Sequence, residues 1–142
     1  MAKLKERGFQ VKLDTNGFYP EILEECLGSV DYVAMDVKTC LDKYGQLGAK
    51  DTSGMVRSME ILKTGKVLYE FRTTVVPELV TAEDVVCIGE LVKGTKTHAF
   101  QQFVATDTLD KRFESVKPYA PEAIEEFAGM MRKFAENTLL RV

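Results

Sequence analysis

Four charged residues stand at or near the ends of three apolar, β-like runs, where side chains are well placed to do chemistry. The residues are Asp14, Asp36, Lys38 and Arg72, and the runs are Val11–Thr15, Tyr32–Val37 and Leu68–Val76. Each run is followed by a loop and then by a helical pattern. In β/α folds the carboxyl ends of the strands form the working face. Charged side chains gathered there predict a polar ligand pocket rather than a filled core.

Side chains in these runs alternate, with apolar residues on one face and charged residues on the other. The charged face carries Lys12, Asp14, Asp36, Lys38, Glu70 and Arg72. Flat parallel strands covered on both faces are apolar throughout, so the alternation favours a barrel-like sheet with a concave polar face. These charges cannot all be buried dry, because each unpaired ion would cost several kcal/mol. Either they pair with one another, or a ligand with both an amine and a carboxylate occupies the concavity with water.

The elements that must position these residues alternate between strands and helices. The predicted strands are Val11–Thr15, Tyr32–Val37, Leu68–Val76, His98–Ala105 and Leu139–Val142. The predicted helices are a helix end at Lys3–Arg7, one from Pro20 to about Gly28, one over Met55–Leu62, one from Thr81 to about Val92 and one from Pro121 to about Asn137. Thr81 and Asp84 have the spacing of a capping box. Strands that alternate with helices predict a parallel sheet of the α/β class.

Composition limits the kinds of partner. The chain has 142 residues, which predicts a single domain over 1–142. Its net charge of −3 gives no basic footprint for nucleic acid, and no apolar run approaches the ~20 residues of a membrane span. The three cysteines, Cys26, Cys40 and Cys87, are odd in number and widely spaced. That pattern argues against a disulfide framework and predicts a cytoplasmic protein.

Three short motifs close successive predicted strands. They are Leu13-Asp14-Thr15-Asn16-Gly17-Phe18, Met35-Asp36-Val37-Lys38 and Arg72-Thr73-Thr74-Val75-Val76-Pro77. Through them the sequence resembles the glycyl-radical-enzyme activases of the radical S-adenosylmethionine superfamily, which include pyruvate formate-lyase activating enzyme and the anaerobic ribonucleotide reductase activating protein. The first two motifs at this spacing are fairly specific, whereas either alone would be weak. A match at Phe100–Phe103 is looser.

The resemblance implies a partial parallel β/α barrel of the TIM type, of which this chain would be the C-terminal four to five β/α units. The family's C-x-x-x-C-x-x-C cluster motif and its Gly-Gly-Glu-type motif do not occur here. The spacing of the three cysteines does not suit a [4Fe–4S] cluster, so we expect this chain alone to hold none. An excised segment, a truncated reading frame and a degenerate paralogue all fit. The strand Val11–Thr15 would then be an exposed edge, through which the chain would self-associate.

The resemblance also implies the cofactor contacts. The residues expected beside S-adenosylmethionine are Asp14, Thr15, Asn16, Asp36, Lys38, Arg72 and Gln102, with Asp14, Thr15 and Asp36 also able to hold a monovalent cation. No catalytic residue is expected in this chain. Other roles stay open: a plain turn for the segment 14–17, an Asp36–Lys38 ion pair, and an Arg72–Glu70 ion pair. Gln101 and Gln102 lie on opposite faces of their strand, and the family match favours Gln102.

Four other features are predicted to be structural. Cys40 is expected to be an inert small residue and Cys87 a core residue of a helix. His98, the only histidine, is predicted at the start of a strand, far from the site. The pair Met130 and Met131 is predicted to pack in the core.

Two functions of different classes follow. In the first, the chain is part of an enzyme that cleaves S-adenosylmethionine to a 5′-deoxyadenosyl radical, which takes a hydrogen from a glycine of a partner enzyme. The partner would be a glycyl radical enzyme or an anaerobic ribonucleotide reductase, and the isolated chain would be inactive. In the second, the chain is a non-catalytic half-barrel module that binds a nucleoside-like ligand or pairs with another chain.

Overall fold

The computed structural model describes residues 1–106 and 108–142. Five strands are present in that part of the chain: β1 (Lys12–Thr15), β2 (Tyr32–Asp36), β3 (Leu68–Val75), β4 (Thr95–Gln102) and β5 (Ala135–Arg141). The α-helices there are α1 (Ala2–Glu6), α2 (Pro20–Cys26), α3 (Ser53–Lys63), α4 (Ala82–Val92) and α5 (Pro121–Met131). Short 3-10 segments cover Leu27–Ser29, Leu41–Leu47 and Lys111–Ser115.

The strands form one parallel sheet in the order β1-β2-β3-β4-β5. Each connection passes to the next strand in the same direction, and such crossovers are right-handed in nearly all proteins. The crossover helices α2 to α5 therefore lie on one face of the sheet. The opposite face is left to the side chains of the strands themselves, as in the interior of a β/α barrel. The predicted α/β class and parallel sheet are confirmed, and β1 and β5 form the two edges of the described sheet.

The hydrophobic core fills the space between the sheet and the helices. Strand residues Met35, Phe71 and Phe100 are fully buried there. They pack into one cluster with helix residues that include Leu62 and Ile88. Truncating a buried phenylalanine of this kind to alanine typically costs about 3–5 kcal/mol.

The start of α4 follows the capping-box prediction. The Thr81 hydroxyl accepts a hydrogen bond from the Asp84 backbone amide (3.4 Å), and the Asp84 carboxylate accepts one from the Thr81 amide (2.8 Å). The same carboxylate forms a 2.7 Å ion pair with Lys43. Asp84 thus caps the amino end of α4, and its ion pair with Lys43 also holds the loop that follows β2.

Several element boundaries were predicted wrongly in the last third of the chain, including the start of β5 at Ala135 rather than Leu139 and the end of β4 at Gln102 rather than Ala105. Helix α5 ends at Met131 rather than near Asn137, because residues from Ala135 onward pair with β4. Strand pairing there overrides the apolar helical spacing that continues to Phe134. Strand β4 begins at Thr95, directly after Gly94 at φ 80°, rather than at His98.

Membrane-spanning helices are not found in the described residues, where no helix is long and apolar enough to cross a bilayer.

Candidate functional site

Five charged residues from β1, β2, β3 and the segment just after β2 form a continuous chain of ion pairs, which we call the strand-end cluster: Lys12, Asp14, Asp36, Lys38 and Arg72. Arg72 is its centre, with Nε donating to Asp36 Oδ1 (2.7 Å) and a terminal nitrogen donating to Asp14 Oδ1 (3.0 Å). Lys12 Nζ lies 3.1 Å from Asp14 Oδ1, and Lys38 Nζ lies 3.4 Å from Asp36 Oδ2. The sequence-predicted residues Asp14, Asp36, Lys38 and Arg72 are therefore brought together.

The register of the strands explains why Arg72 reaches both Asp36 and Asp14. Arg72 is the parallel-sheet partner of Asp36, and Asp14 lies one strand further on, beside Ala34. Side chains of the same face on adjacent strands are neighbours, so the long Arg72 side chain spans β2 to reach β1. The Asp36–Lys38 ion pair that the sequence left open is present. The Arg72–Glu70 ion pair is absent, because Arg72 pairs with Asp36 and Asp14 whereas Glu70 pairs with Arg141.

The cluster is only partly buried and carries an unbalanced charge. The side chain of Arg72 is 16% exposed, that of Asp36 27% and that of Asp14 55%. Burial alone would raise the pKa of Asp14, but the hydrogen bond from Lys12 and the charge of Arg72 outweigh it and hold that pKa below its usual value. The cluster sets three basic side chains against two carboxylates. The surplus suits a ligand carboxylate, and the exposed oxygen of Asp14 suits an ammonium or hydroxyl group.

A cavity of about 150 Å³ opens beside the cluster at the carboxyl ends of β1 and β2. Its walls include Asn16, Phe18, Asp36, Lys38 and Tyr44. The Phe18 and Tyr44 rings meet edge to face with centroids 6.0 Å apart, and the Tyr44 hydroxyl accepts a 2.8 Å hydrogen bond from the Lys38 amide. Whole-ligand sites usually occupy ~300–1,000 Å³, so this cavity fits a part of a ligand, with an aromatic wall next to charge.

The turn after β1 is built by its own residues. The Thr15 hydroxyl accepts a hydrogen bond from the Gly17 amide (3.0 Å), and the Asn16 side chain accepts one from the Phe18 amide (3.2 Å). Gly17 has φ +75°, and a Cβ there would lie 2.1 Å from Met35 Cε. Only glycine fits this position without displacing the core. The segment 14–17 therefore forms a turn, as one of the two interpretations predicted. This turn also places Asn16 and Phe18 at the wall of the cavity.

Gln102 is not brought to the cluster. It pairs with Val75, whereas Gln101 pairs with Thr74 and so shares the face of Arg72. The Gln102 amide donates instead to the carbonyls of Phe103 and Tyr119, each at 3.3 Å. The preference for Gln102 was wrong because it rested on a loose motif match, while the register of β4 decides which glutamine faces the concavity.

A second ion pair lies on the same face but deeper in the sheet. Arg141 of β5 donates two hydrogen bonds to the Glu70 carboxylate, at 2.8 and 2.7 Å. Burial would raise the pKa of Glu70, but the Arg141 hydrogen bonds keep it below its usual value. Burial, and then the negative charge of Glu70, raise the pKa of Tyr32 to about 12. Arg141 lies inside the predicted strand Leu139–Val142, but its pairing with Glu70 depends on the register of β3, β4 and β5, which the sequence pattern does not give.

The cysteines do not behave as predicted. Cys40 and Cys87 are joined by a disulfide, with Cα atoms 5.8 Å apart, and Cys87 is exposed rather than in the core. Cys26 is free. Asp42 is the remaining potential metal ligand near the pair within the described residues. A disulfide and one carboxylate do not fit a [4Fe–4S] cluster, which needs grouped cysteine thiolates.

His98 lies in the middle of β4 rather than at its start, and it is fully buried. Its Nε2 lies 3.1 Å from the Thr73 hydroxyl, which itself donates to the Val37 carbonyl. Thr73 therefore accepts from Nε2–H, which leaves Nδ1 without a partner in the described residues. Burial lowers the pKa of His98 to about 4, so the ring is neutral and structural at neutral pH.

Comparison with known proteins finds one similar sequence and one similar solved structure that bear on the function. The chain is 34% identical, over 145 aligned positions, to a Methanocaldococcus jannaschii protein that carries the provisional name glycyl-radical enzyme activating enzyme. The match covers 96% of this chain and 60% of that relative, so the chain spans about three fifths of the length of that relative. No protein-family model matches the chain.

The resemblance to the glycyl-radical-enzyme activases is confirmed. A crystal structure of a domain of pyruvate-formate lyase-activating enzyme from Bacteroides vulgatus superposes with a TM-score of 0.75, covering 99% of this chain and 86% of that one. At 10% identity this second likeness shows the fold alone. A partial β/α-barrel arrangement of the kind found in activating enzymes is thus common to both.

Proposed function

We propose that this chain works as part of a radical S-adenosylmethionine activating enzyme that generates a glycyl radical on a partner enzyme. The observation that carries the proposal is the strand-end cluster, a mixed-charge, partly exposed group at the carboxyl ends of three parallel strands. Ligands bind at that edge in open and barrel-like α/β sheets. The relationship to an activating enzyme over nearly the whole chain supports this choice of function.

The strand-end cluster fits the amino-acid end of S-adenosylmethionine. Arg72 and Lys38 supply the cations that a carboxylate needs, and the exposed Asp14 can accept from an ammonium group. The cavity beside Phe18 and Tyr44 offers an apolar wall for a further part of the ligand. When bound, S-adenosylmethionine supplies the 5′-deoxyadenosyl radical that abstracts hydrogen from a glycine. The work of this chain is to bind and orient it and to keep out water.

The [4Fe–4S] cluster and the monovalent cation are less directly supported by the residues of this chain. The described cysteines do not fit a [4Fe–4S] cluster, so the proposal assigns the cluster to residues outside this sequence. The monovalent cation at Asp14, Thr15 and Asp36 stays a prediction. In this structure the Arg72 guanidinium lies between the two carboxylates, and the Thr15 hydroxyl serves the turn at Gly17.

The partner is proposed to be a glycyl radical enzyme or an anaerobic ribonucleotide reductase, in an anaerobic, cytoplasmic setting. One observation favours the alternative of a non-catalytic half-barrel module. Every charge of the strand-end cluster already has a counter-ion within the chain. A ligand would have to exchange with these internal pairs, and a purely structural cluster would not allow that exchange.

Titration calorimetry with S-adenosylmethionine on the intact protein that contains this chain tests the proposal. Asp36→Asn keeps the shape of the side chain and removes its charge, and Asp36→Ala removes both. Loss of a charged partner at a partly buried site typically costs about 2–5 kcal/mol, so we expect binding to weaken by that amount. The matched control is Glu90→Gln, which breaks an exposed ion pair with Lys93 at the end of α4, just before the amino end of β4.

The expected result is weakened binding in both Asp36 variants and unchanged binding in the control. Circular dichroism confirms that each variant is folded before titration. Unchanged affinity in folded Asp36→Asn and Asp36→Ala would reject the cluster as the binding site. Absence of S-adenosylmethionine binding by the intact wild-type protein would favour the non-catalytic module instead.

A further inference from the structure

Two cysteines 47 residues apart meet beside the candidate site. Cys40 lies two residues after Lys38, at the entrance to the 3-10 segment Leu41–Leu47, and Cys87 lies on α4. Their Cα atoms are 5.8 Å apart, within the ~4.4–6.8 Å that disulfides require, and the structure joins them. The backbone therefore holds the two residues at bonding distance without rearrangement.

Two further contacts hold the same loop against the same helix. The Thr39 hydroxyl donates a 2.6 Å hydrogen bond to the Leu79 carbonyl, just before α4. Lys43 pairs at 2.7 Å with Asp84 in the first turn of α4. Because these contacts do not involve sulfur, they keep Cys40 and Cys87 near each other when the disulfide is reduced, although the rest of the loop regains motion. The two thiols then face each other at a high effective concentration, which favours closing the bond again.

We propose that Cys40 and Cys87 form a reversible dithiol–disulfide pair that reacts with disulfide oxidants such as oxidised glutathione. Cys87 is exposed and Cys40 is buried, so the Cys87 thiolate attacks first. It forms a mixed disulfide and releases one glutathione thiolate. The Cys40 thiolate then attacks the Cys87 sulfur and releases the second glutathione. The pair loses two electrons, which reduce the oxidant, and its two protons go to the two released thiolates.

Oxidation has a direct consequence for the cavity at the strand-end cluster. The loop fixed by Cys40 carries Tyr44, whose hydroxyl accepts the hydrogen bond from the Lys38 amide. Tying Cys40 to α4 removes freedom from this loop and holds that wall of the cavity in place. Reduction restores the freedom, so the redox state sets the mobility of the cavity wall. This inference does not depend on the proposed function, since it concerns only residues of this chain.

The third cysteine provides a matched control. Cys26 ends α2, is partly buried and takes no part in the disulfide. The chain is equilibrated anaerobically, with a chelator present, in mixtures of reduced and oxidised glutathione. Free thiols are then alkylated and counted by mass spectrometry for wild type, Cys26→Ser, Cys40→Ser and Cys87→Ser. Hydrogen exchange of residues 38–50 is followed in both redox states.

We expect wild type and Cys26→Ser each to lose two alkylatable thiols in one cooperative two-electron transition. Cys87→Ser should show no such transition, and Cys40→Ser should instead take up one glutathione at Cys87. Exchange in residues 38–50 should slow by several-fold on oxidation, and the melting temperature should rise by on the order of 10 °C.

Three results would overturn the inference. One is a wild-type chain that keeps all three thiols under oxidising conditions. Another is a disulfide that disappears in Cys26→Ser. The last is exchange at residues 38–50 that is the same in both redox states, which would remove the link to the cavity wall.

Discussion

The two groups of ion pairs on the concave face differ in exposure, although they lie only two residues apart along β3. Arg72 meets its partners at the end of the strand, where the Asp14 carboxylate is more than half exposed. Glu70 meets Arg141 inside the sheet, where its carboxylate is fully buried. The exposed group gains little stability from its pairs and keeps charge available for a ligand. The buried group is a requirement of the fold, because a buried carboxylate without its counter-ion is costly.

The largest expected change in stability comes from removing Arg141, the counter-ion of Glu70. We expect Arg141→Met to lower the free energy of unfolding by about 3–5 kcal/mol, because it leaves a buried carboxylate unpaired. Urea denaturation measures the change. Glu70→Gln with Arg141→Met should recover a large part of the loss, since the double variant buries no charge. A cycle of the two changes with a coupling below ~0.5 kcal/mol would contradict the assignment of this pair to the fold.

The second test uses a buried titratable group, His98, whose loss of solvation is only partly offset by the negative charge of Glu70. Folding lowers the pKa of His98 from 6.5 to about 4, because burial disfavours the charged ring. The unfolded chain therefore binds a proton at higher pH than the folded chain. Stability is complete above pH 6.5 and falls between 6.5 and about 4, by on the order of 3 kcal/mol in total.

Glu70 and Asp14 act in the same direction as His98 but in a lower pH window. Their folded pKa values are lowered, so their contributions are present above the ordinary carboxyl pKa and are lost only as the pH falls below it. Measuring unfolding in urea from pH 8 to 3 separates the two windows. His98→Gln should flatten the profile above pH 4.5 and leave the acid limb. An unchanged slope above pH 4.5 in that variant would show that His98 is not the group responsible.

The smallest expected effect on stability is at Asp14. Its exposed ion pairs with Lys12 and Arg72 are of a kind worth ~0.2–1 kcal/mol, so Asp14→Asn should barely change the urea midpoint. In the intact protein the same change should weaken S-adenosylmethionine binding by more than it lowers stability. If Asp14→Asn instead destabilises the chain as strongly as Arg141→Met, the strand-end cluster is structural and the contrast between the two groups fails.

The local sequence pattern was sufficient to predict that Asp14, Asp36, Lys38 and Arg72 come together. Alternation along a strand puts Asp36 and Lys38 on one face, and alternation along the third run puts Arg72 on a face with Glu70. A parallel sheet then brings strand ends together at one edge. The capping box at Thr81 and Asp84 could be predicted for the same reason, since both partners lie within one turn of chain.

Partners far apart in sequence could not be predicted in this way. Arg141 meets Glu70 across β4, which requires the register of two strand pairings. Cys40 meets Cys87 because α4 returns along the loop that follows β2, a contact that no local spacing encodes. Gln102 was chosen over Gln101 on a loose motif match, and only the register of β4 against β3 shows that Gln101 shares the face of Arg72.

The sequence by itself determined the α/β class, the order of strands and helices, and the concentration of charge at the ends of three strands. These features depend on periods of two or 3.6 residues and on turn residues such as Gly17, which act within a few positions of themselves. Tertiary structure alone decided which charges are buried, which glutamine faces the concavity and which cysteines meet. Those outcomes depend on register and on the placement of helices over the sheet, and both are set by packing of the whole core rather than by neighbouring residues.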